Sequence, residues 1–143
     1  MPSYFNIARL TAVTLLLAAG MATAQMPETA APSEAKVYFV NLKSGDTVSS
    51  PVKVVMGLSG MGIAPAGIEF PQTGHHHLII DAPTPPAAAV IAADANHVHF
   101  GKGQTETQIT LPPGKHKLTM QFADGAHRSY GAKYRKTIEV MVK

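Results

Sequence analysis

The chain has 143 residues, with 12 Lys and Arg against 9 Asp and Glu, 7 histidines and no cysteine. The missing cysteines exclude a disulfide-stapled scaffold, a thiolate metal site and a cysteine nucleophile. The net charge of +3 is spread along the chain without a dense basic run, which argues against nucleic acid as a partner. Residues 1–24 read as an export signal. Arg9 supplies the positive end, Leu10 to Gly20 the apolar run, and Ala22-Thr23-Ala24 the small-residue cleavage site. The apolar run is shorter than the ~20 residues that a membrane span needs. No cysteine follows it, so no lipid anchor is expected. Cleavage after Ala24 exposes Gln25 and sends the mature chain to the periplasm, with eleven Lys and Arg left against the nine acidic residues once Arg9 is removed.

Residues 25–35 (QMPETAAPSEA) have the composition of a flexible linker, leaving 36–143 as a single domain. Lys36 to Val40 is β-branched and aromatic enough for a strand, Ser44-Gly45-Asp46 makes a turn, and Thr47 to Leu58 reads as the next strand. Pro51 places the start of pairing beyond it or puts that strand at an edge. The glycines and prolines of 59–73 predict a long irregular loop. A second loop, 82–96, carries Pro83-Thr84-Pro85-Pro86 and should be mobile, because its Pro/Ala composition offers few polar anchors. Downstream, Gln104 to Leu111 alternates, and Pro112-Pro113-Gly114 turns the chain. Lys115 to Phe122 places Leu118, Met120 and Phe122 inward and Lys117, Thr119 and Gln121 outward. Tyr134 to Val142 closes the chain. Seven or so short strands without a long helix predict an all-β protein, an antiparallel immunoglobulin-like β-sandwich; the patterning alone does not separate it from a small barrel.

Five of the seven histidines lie in Gly74-His75-His76-His77-Leu78-Ile79-Ile80-Asp81 and His97-Val98-His99-Phe100-Gly101. Residues i and i+2 of a strand share a face. With Leu78, Ile80, Val98 and Phe100 turned to the core, His75, His77, His97 and His99 share the opposite, outer face. Neighbouring strands lie ~4.8 Å apart, so imidazoles on that face can converge on one ion. Copper is the first expectation, since an all-nitrogen site in an aerated compartment suits Cu(II), and zinc is the runner-up. His76 falls on the core side, as a structural histidine or a partner that orients a ligand. His116 is in phase with Leu118 and is read as structural. His127, in a polar loop, is a candidate extra ligand. Glu106 and Asp81 are the carboxylates nearest in sequence to the histidine strands, either able to accept an imidazole N–H. Met61 is a weak candidate thioether ligand, whereas Met56 and Met120 lie in strand patterns and read as core.

Enzyme signals are poor. Gly57-Leu58-Ser59-Gly60-Met61 lacks the last glycine of a nucleophile elbow, and no general base stands out. The blocks from Gly74 to Asp81, from His97 to Glu106, and Leu111-Pro112-Pro113-Gly114-Lys115-His116 together resemble a bacterial family of exported domains, domain of unknown function 4399 (DUF4399), over roughly residues 36–142. Of that family's C-terminal block Asp124 and His127 fit, while Arg128-Ser129-Tyr130-Gly131 departs. The resemblance implies an exported domain and supplies no activity. The expected function is therefore a monomeric periplasmic metal binder for storage, delivery or sensing. The alternatives are a binding module whose loops 59–73 and 82–96 form a groove for an envelope ligand or partner protein, and a metal-dependent enzyme.

Overall fold

The computed structural model describes residues 29–143; the expected export signal and the first residues of the expected linker lie outside them. The described chain is all β, with one 3-10 turn at Ala132–Tyr134. Its strands are β1 (Lys36–Phe39), β2 (Thr47–Val48), β3 (Val52–Ser59), β4 (Gly62–Ile63), β5 (Thr73–Ile80), β6 (His97–His99), β7 (Glu106–Ile109), β8 (Gly114–Ala123) and β9 (Arg135–Val142). Two sheets pack face to face as a sandwich. The smaller runs β1-β3-β7 and the larger β2-β9-β8-β5-β4, with β6 beside β4 on the free edge of β5. Most pairings are antiparallel as expected, but the two-residue strands β2 and β4 pair in parallel with β9 and β5. Both fall where the sequence reads as part of a longer strand or as loop, because two residues are too few to show alternation.

The core lies between the sheets and follows the period-two pattern. Val37, Phe39, Val52, Val54, Met56 and Ile109 of the small sheet meet Leu78, Leu118, Met120, Phe122, Ile138 and Val140 of the large one. Burying each such large apolar side chain is worth ~1.5–3 kcal/mol, which fixes the register of the central strands. β5 is paired along both edges, with β8 on one side and β4 and β6 on the other. Pairing on both edges makes it a rigid platform for its three consecutive histidines.

The second face of the large sheet departs from expectation. Thr119 and Gln121, read as outward, are 1% and 0% exposed. Segments 82–96 and 124–134 close over this face and are tied to each other. The N–H of Ala88 donates to Ser129 O (2.9 Å), that of Ser129 to Ala89 O (2.8 Å), and that of Ile91 to His127 O (2.9 Å). Arg135, in register with Gln121, donates from Nη2 to Pro85 O at 3.0 Å. Ala88 and Ile91 are buried. The loop expected to lack polar anchors is thus held through backbone groups, which a Pro/Ala composition does not reveal.

The expected linker is also anchored where it is described. Ala35 is buried, the Tyr134 hydroxyl donates to the carbonyls of Ala31 and Pro32, and the Thr29 hydroxyl donates to Asp124.

His116 is structural, as its phase suggests. Nδ1 lies 2.6 Å from Asp81 Oδ2 and Nε2 lies 2.9 Å from the Pro112 carbonyl, two acceptors that together call for imidazolium. The Asp81 bond, then the Pro112 bond, raise its pKa above 6.5. Burial alone would push Asp81 up, but hydrogen bonds from Lys117 N–H and His116 outweigh it and hold it below 3.8. The stabilisation from His116 is full below pH 6.5 and lost as pH rises through its raised value. That from Asp81 is full above 3.8 and lost as pH falls through its lowered value. His116→Ala is expected to cost ~1–3 kcal/mol near pH 6 and less at pH 9. Urea midpoints of both proteins across that range measure it; a loss that grows with pH contradicts the ion pair.

Candidate metal centre

Alternation along β5 and register between β5 and β6 build the site. His77 pairs with His99, Leu78 with Val98 and Ile79 with His97. His75, His77 and His99 therefore cluster at one end of the face, and His97 lies two residues further along, beside Ile79. There it turns to Asp94, with Nδ1 2.8 Å from Oδ1. The fourth member is His127. One ring nitrogen from each of His75, His77, His99 and His127 lies within 4.8 Å of the other three.

His75 Nε2 is the hub. It stands 3.1 Å from His77 Nε2, 3.2 Å from His99 Nε2 and 3.2 Å from His127 Nδ1. A neutral imidazole carries one N–H and one lone pair on its two nitrogens. A single hub nitrogen bears one or the other, so it cannot bond all three neighbours. A cation that accepts four lone pairs satisfies the four converging nitrogens at once. The Nδ1 atoms of His75 and His77 are buried without a hydrogen-bond partner. The four rings pack with centroids 4.7–5.9 Å apart.

The site is not the solvent-facing patch that alternation implies: His75 is 0% and His77 1% exposed, and His99 and His127 are half-buried. The closing segments 82–96 and 124–134 account for the difference. His127 arrives on a tight turn with φ of 64°, a left-handed conformation uncommon for a side-chain-bearing residue. Asp124, itself buried, holds that turn. Its Oδ1 accepts from the N–H groups of Ala126 and Arg128 (both 2.9 Å), and its Oδ2 from Arg128 Nε (2.7 Å) and Thr29 Oγ1 (2.5 Å). On the open side, a Cβ at Gly101 would lie 2.2 Å from the His99 ring, so only glycine leaves that ring its place.

Burial keeps the group neutral. It lowers His75 to about 4, helped by the neighbouring His99 and His127, and lowers His77 to about 3, helped by His75, His99 and His127. Burial, then His127, lowers His99 as well. The unfolded chain binds protons near 6.5, so this stabilisation is full above pH 6.5 and is lost as pH falls toward 4 and 3. For His75 alone the change is ~3 kcal/mol. Metal-free protein is therefore expected to lose stability between pH 6.5 and 4, measured by urea unfolding. His76 is lowered to about 4 as well, by burial first, and keeps its own share of the slope. A markedly shallower profile in a His75→Ala, His77→Ala double variant assigns the difference to these two rings; an unchanged profile removes it from them.

The other candidates fall elsewhere. His76 packs edge-on against Phe122 on the core side, with both ring nitrogens unpartnered. Asp81 serves His116. Glu106 is in the small sheet, 3.4 Å from Lys53 Nζ, and Met61 packs against the core. Two residues that were not among the site candidates stand beside the centre. Asp124 positions His127, and Gln121 lies opposite His77 in the β5–β8 register with its Nε2 bonded to the carbonyls of Phe122, Gly131 and Tyr134. Gln121 was legible in principle, being in phase with His77 once the strands are paired.

Fold and site together define a β-sandwich protein with a largely buried four-histidine cluster that could hold a metal ion. The chain belongs to the family described as Domain of unknown function (DUF4399), which matches residues 54–143. The match begins inside β3 and leaves out β1 and β2, a narrower span than the motifs suggest. No curated protein and no solved structure matches the chain.

Proposed function

We propose that this protein is a periplasmic transition-metal binder that holds one ion, copper or zinc, between His75, His77, His99 and His127 for storage, delivery or sensing. The observation that carries this reading is the convergence of three ring nitrogens on His75 Nε2 at 3.1–3.2 Å, a packing that hydrogen bonds alone do not satisfy. Imidazole ligands suit both metals. Four protein ligands fill a four-coordinate ion, whereas catalytic zinc sites keep a position open for water or substrate. Holding the ion is therefore favoured over chemistry on it. His99 and His127, the half-buried ligands, lie on the side from which the ion enters and leaves.

Metal analysis of tag-free protein after equilibration with Cu(II), Cu(I) or Zn(II) tests this reading. One tightly held equivalent per chain supports it, and none at micromolar metal sinks it. The export part has its own test. Intact mass of protein from the periplasm is expected to begin at Gln25, and a mass beginning at Met1 contradicts the leader.

A second reading has one observation behind it. A pocket of about 320 Å³ lies between segments 69–71 and 124–130, beside the exposed Phe70. It would serve a binding module for an envelope ligand, and it uses the expected loop 59–73 but is closed by 124–130 rather than by 82–96.

A further inference from the structure

The arrangement of the four nitrogens also bears on which metal the centre takes. Four ligands at ~2.0–2.1 Å from a tetrahedral ion stand ~3.3 Å from one another, all edges alike. Around a square-planar ion of similar bond length each ligand has two neighbours at ~2.9 Å and a third, across the metal, at ~4.1 Å. His75 Nε2 has three neighbours at 3.1, 3.2 and 3.2 Å, one shell with no distant partner. A flat arrangement of the three around His75 is excluded too, since all four nitrogens lie within 4.8 Å of each other and a flat trigonal set would exceed that. The group is a pyramid on His75 whose base edges, at up to 4.8 Å, are wider than the ~3.3 Å of a tetrahedral shell and close when an ion is held.

The surroundings hold that shape. His75 and His77 leave the central strand β5, their backbone fixed by pairing on both sides and their rings fully enclosed. His99 is wedged against Gly101, and His127 is held by the turn that Asp124 ties together. Flattening the set into a square would require one ring to move away from His75 by most of an ångström, against packed neighbours for the enclosed His77, and against the Gly101 contact or the Asp124-held turn for His99 or His127. Interiors resist shifts of that size.

We infer that the centre is built for a tetrahedral closed-shell ion, Zn(II) or Cu(I), and against the tetragonal geometry that Cu(II) prefers. This rests on the metal-centre reading above and narrows it. The usual affinity order puts Cu(II) well above Zn(II) at an unconstrained nitrogen site. Here that lead shrinks, because Cu(II) must accept a geometry it does not favour, while zinc has no d-electron preference to lose.

Loading tag-free protein with Co(II), and separately with Cu(II), tests the inference. Co(II) is expected to give the intense visible bands of a four-coordinate tetrahedral ion. Cu(II) is expected to give an electron paramagnetic resonance spectrum with the small parallel hyperfine splitting of a distorted tetrahedron. Faint cobalt bands together with a large, tetragonal copper splitting overturn the inference and leave metal binding standing. Absence of binding by every ion overturns both. Competition of Zn(II) against Cu(I) under reducing, oxygen-free conditions then names the ion: the tighter of the two is the one the centre serves. A Cu(II) affinity exceeding both by the full margin of an unconstrained site counts against the inference as surely as the tetragonal spectrum does.

Discussion

His75→Ala is expected to abolish tight metal binding, weakening it by more than ~100-fold, because even residues that merely orient a ligand cost 10–100-fold when replaced. The other three nitrogens meet at His75 Nε2, so its loss removes the hub rather than one corner. Folding should survive, since the removed ring carries a buried Nδ1 with no partner. His97→Ala is the matched control: same face, same residue type, but committed to Asp94, and binding should be unchanged. Metal titration of both variants by calorimetry measures the difference. Equal losses in the two variants would place the site over the whole histidine face and discard the register argument.

The largest effect on stability is expected from Asp124→Ala. Four donors converge on this carboxylate, and its pKa is held below 3.8 because the Thr29 and Arg128 hydrogen bonds outweigh its burial. Removing it leaves Arg128 without its close partner and strands two backbone N–H groups, at a cost of ~3–5 kcal/mol. The turn then no longer holds His127 in its left-handed conformation. Metal binding should therefore weaken ~10–100-fold in whatever fraction stays folded. Asp124→Asn keeps an acceptor for the backbone N–H groups and should fall between. Urea unfolding and metal titration on both variants give the two numbers. Normal affinity in a destabilised Asp124→Ala protein would detach the turn from the metal centre.

Much of the fold was legible because its core strands are half-buried on one consistent face. Leu78 with Ile80, and Leu118 with Met120 and Phe122, carry a period-two signal that tertiary structure reinforces. The same signal put His75, His77 and His99 on one face. It misplaced His97 because alternation fixes the face and says nothing of register. Which histidine stands opposite His77 depends on how β6 slides along β5, and that is set by the loop between them. His127 follows no period at all; a left-handed turn delivers it, and a single aspartate four donors deep is what makes the turn. The burial of the site escaped notice for a related reason. The closing segments hold each other through backbone N–H and C=O groups, which every residue possesses, so Ala88, Ala89 and Ile91 left no mark in composition. β2 and β4 were invisible through brevity, and Thr29 to Ala35 resembled a linker because their anchors, Asp124 and Tyr134, are about a hundred residues away.

Long-range proton–nitrogen spectra of the histidine rings, recorded before and after one equivalent of Zn(II), test the central claim most directly. They report each ring nitrogen separately, so they identify the ligands and the ligating atoms. The expected result is that Nε2 of His75, His77 and His99 and Nδ1 of His127 shift together and saturate at one equivalent, while His97 and His116 stay where they were. Saturation that moves His97 with His99 and leaves His127 untouched, or one equivalent of zinc that moves no ring nitrogen, would contradict the four-histidine centre.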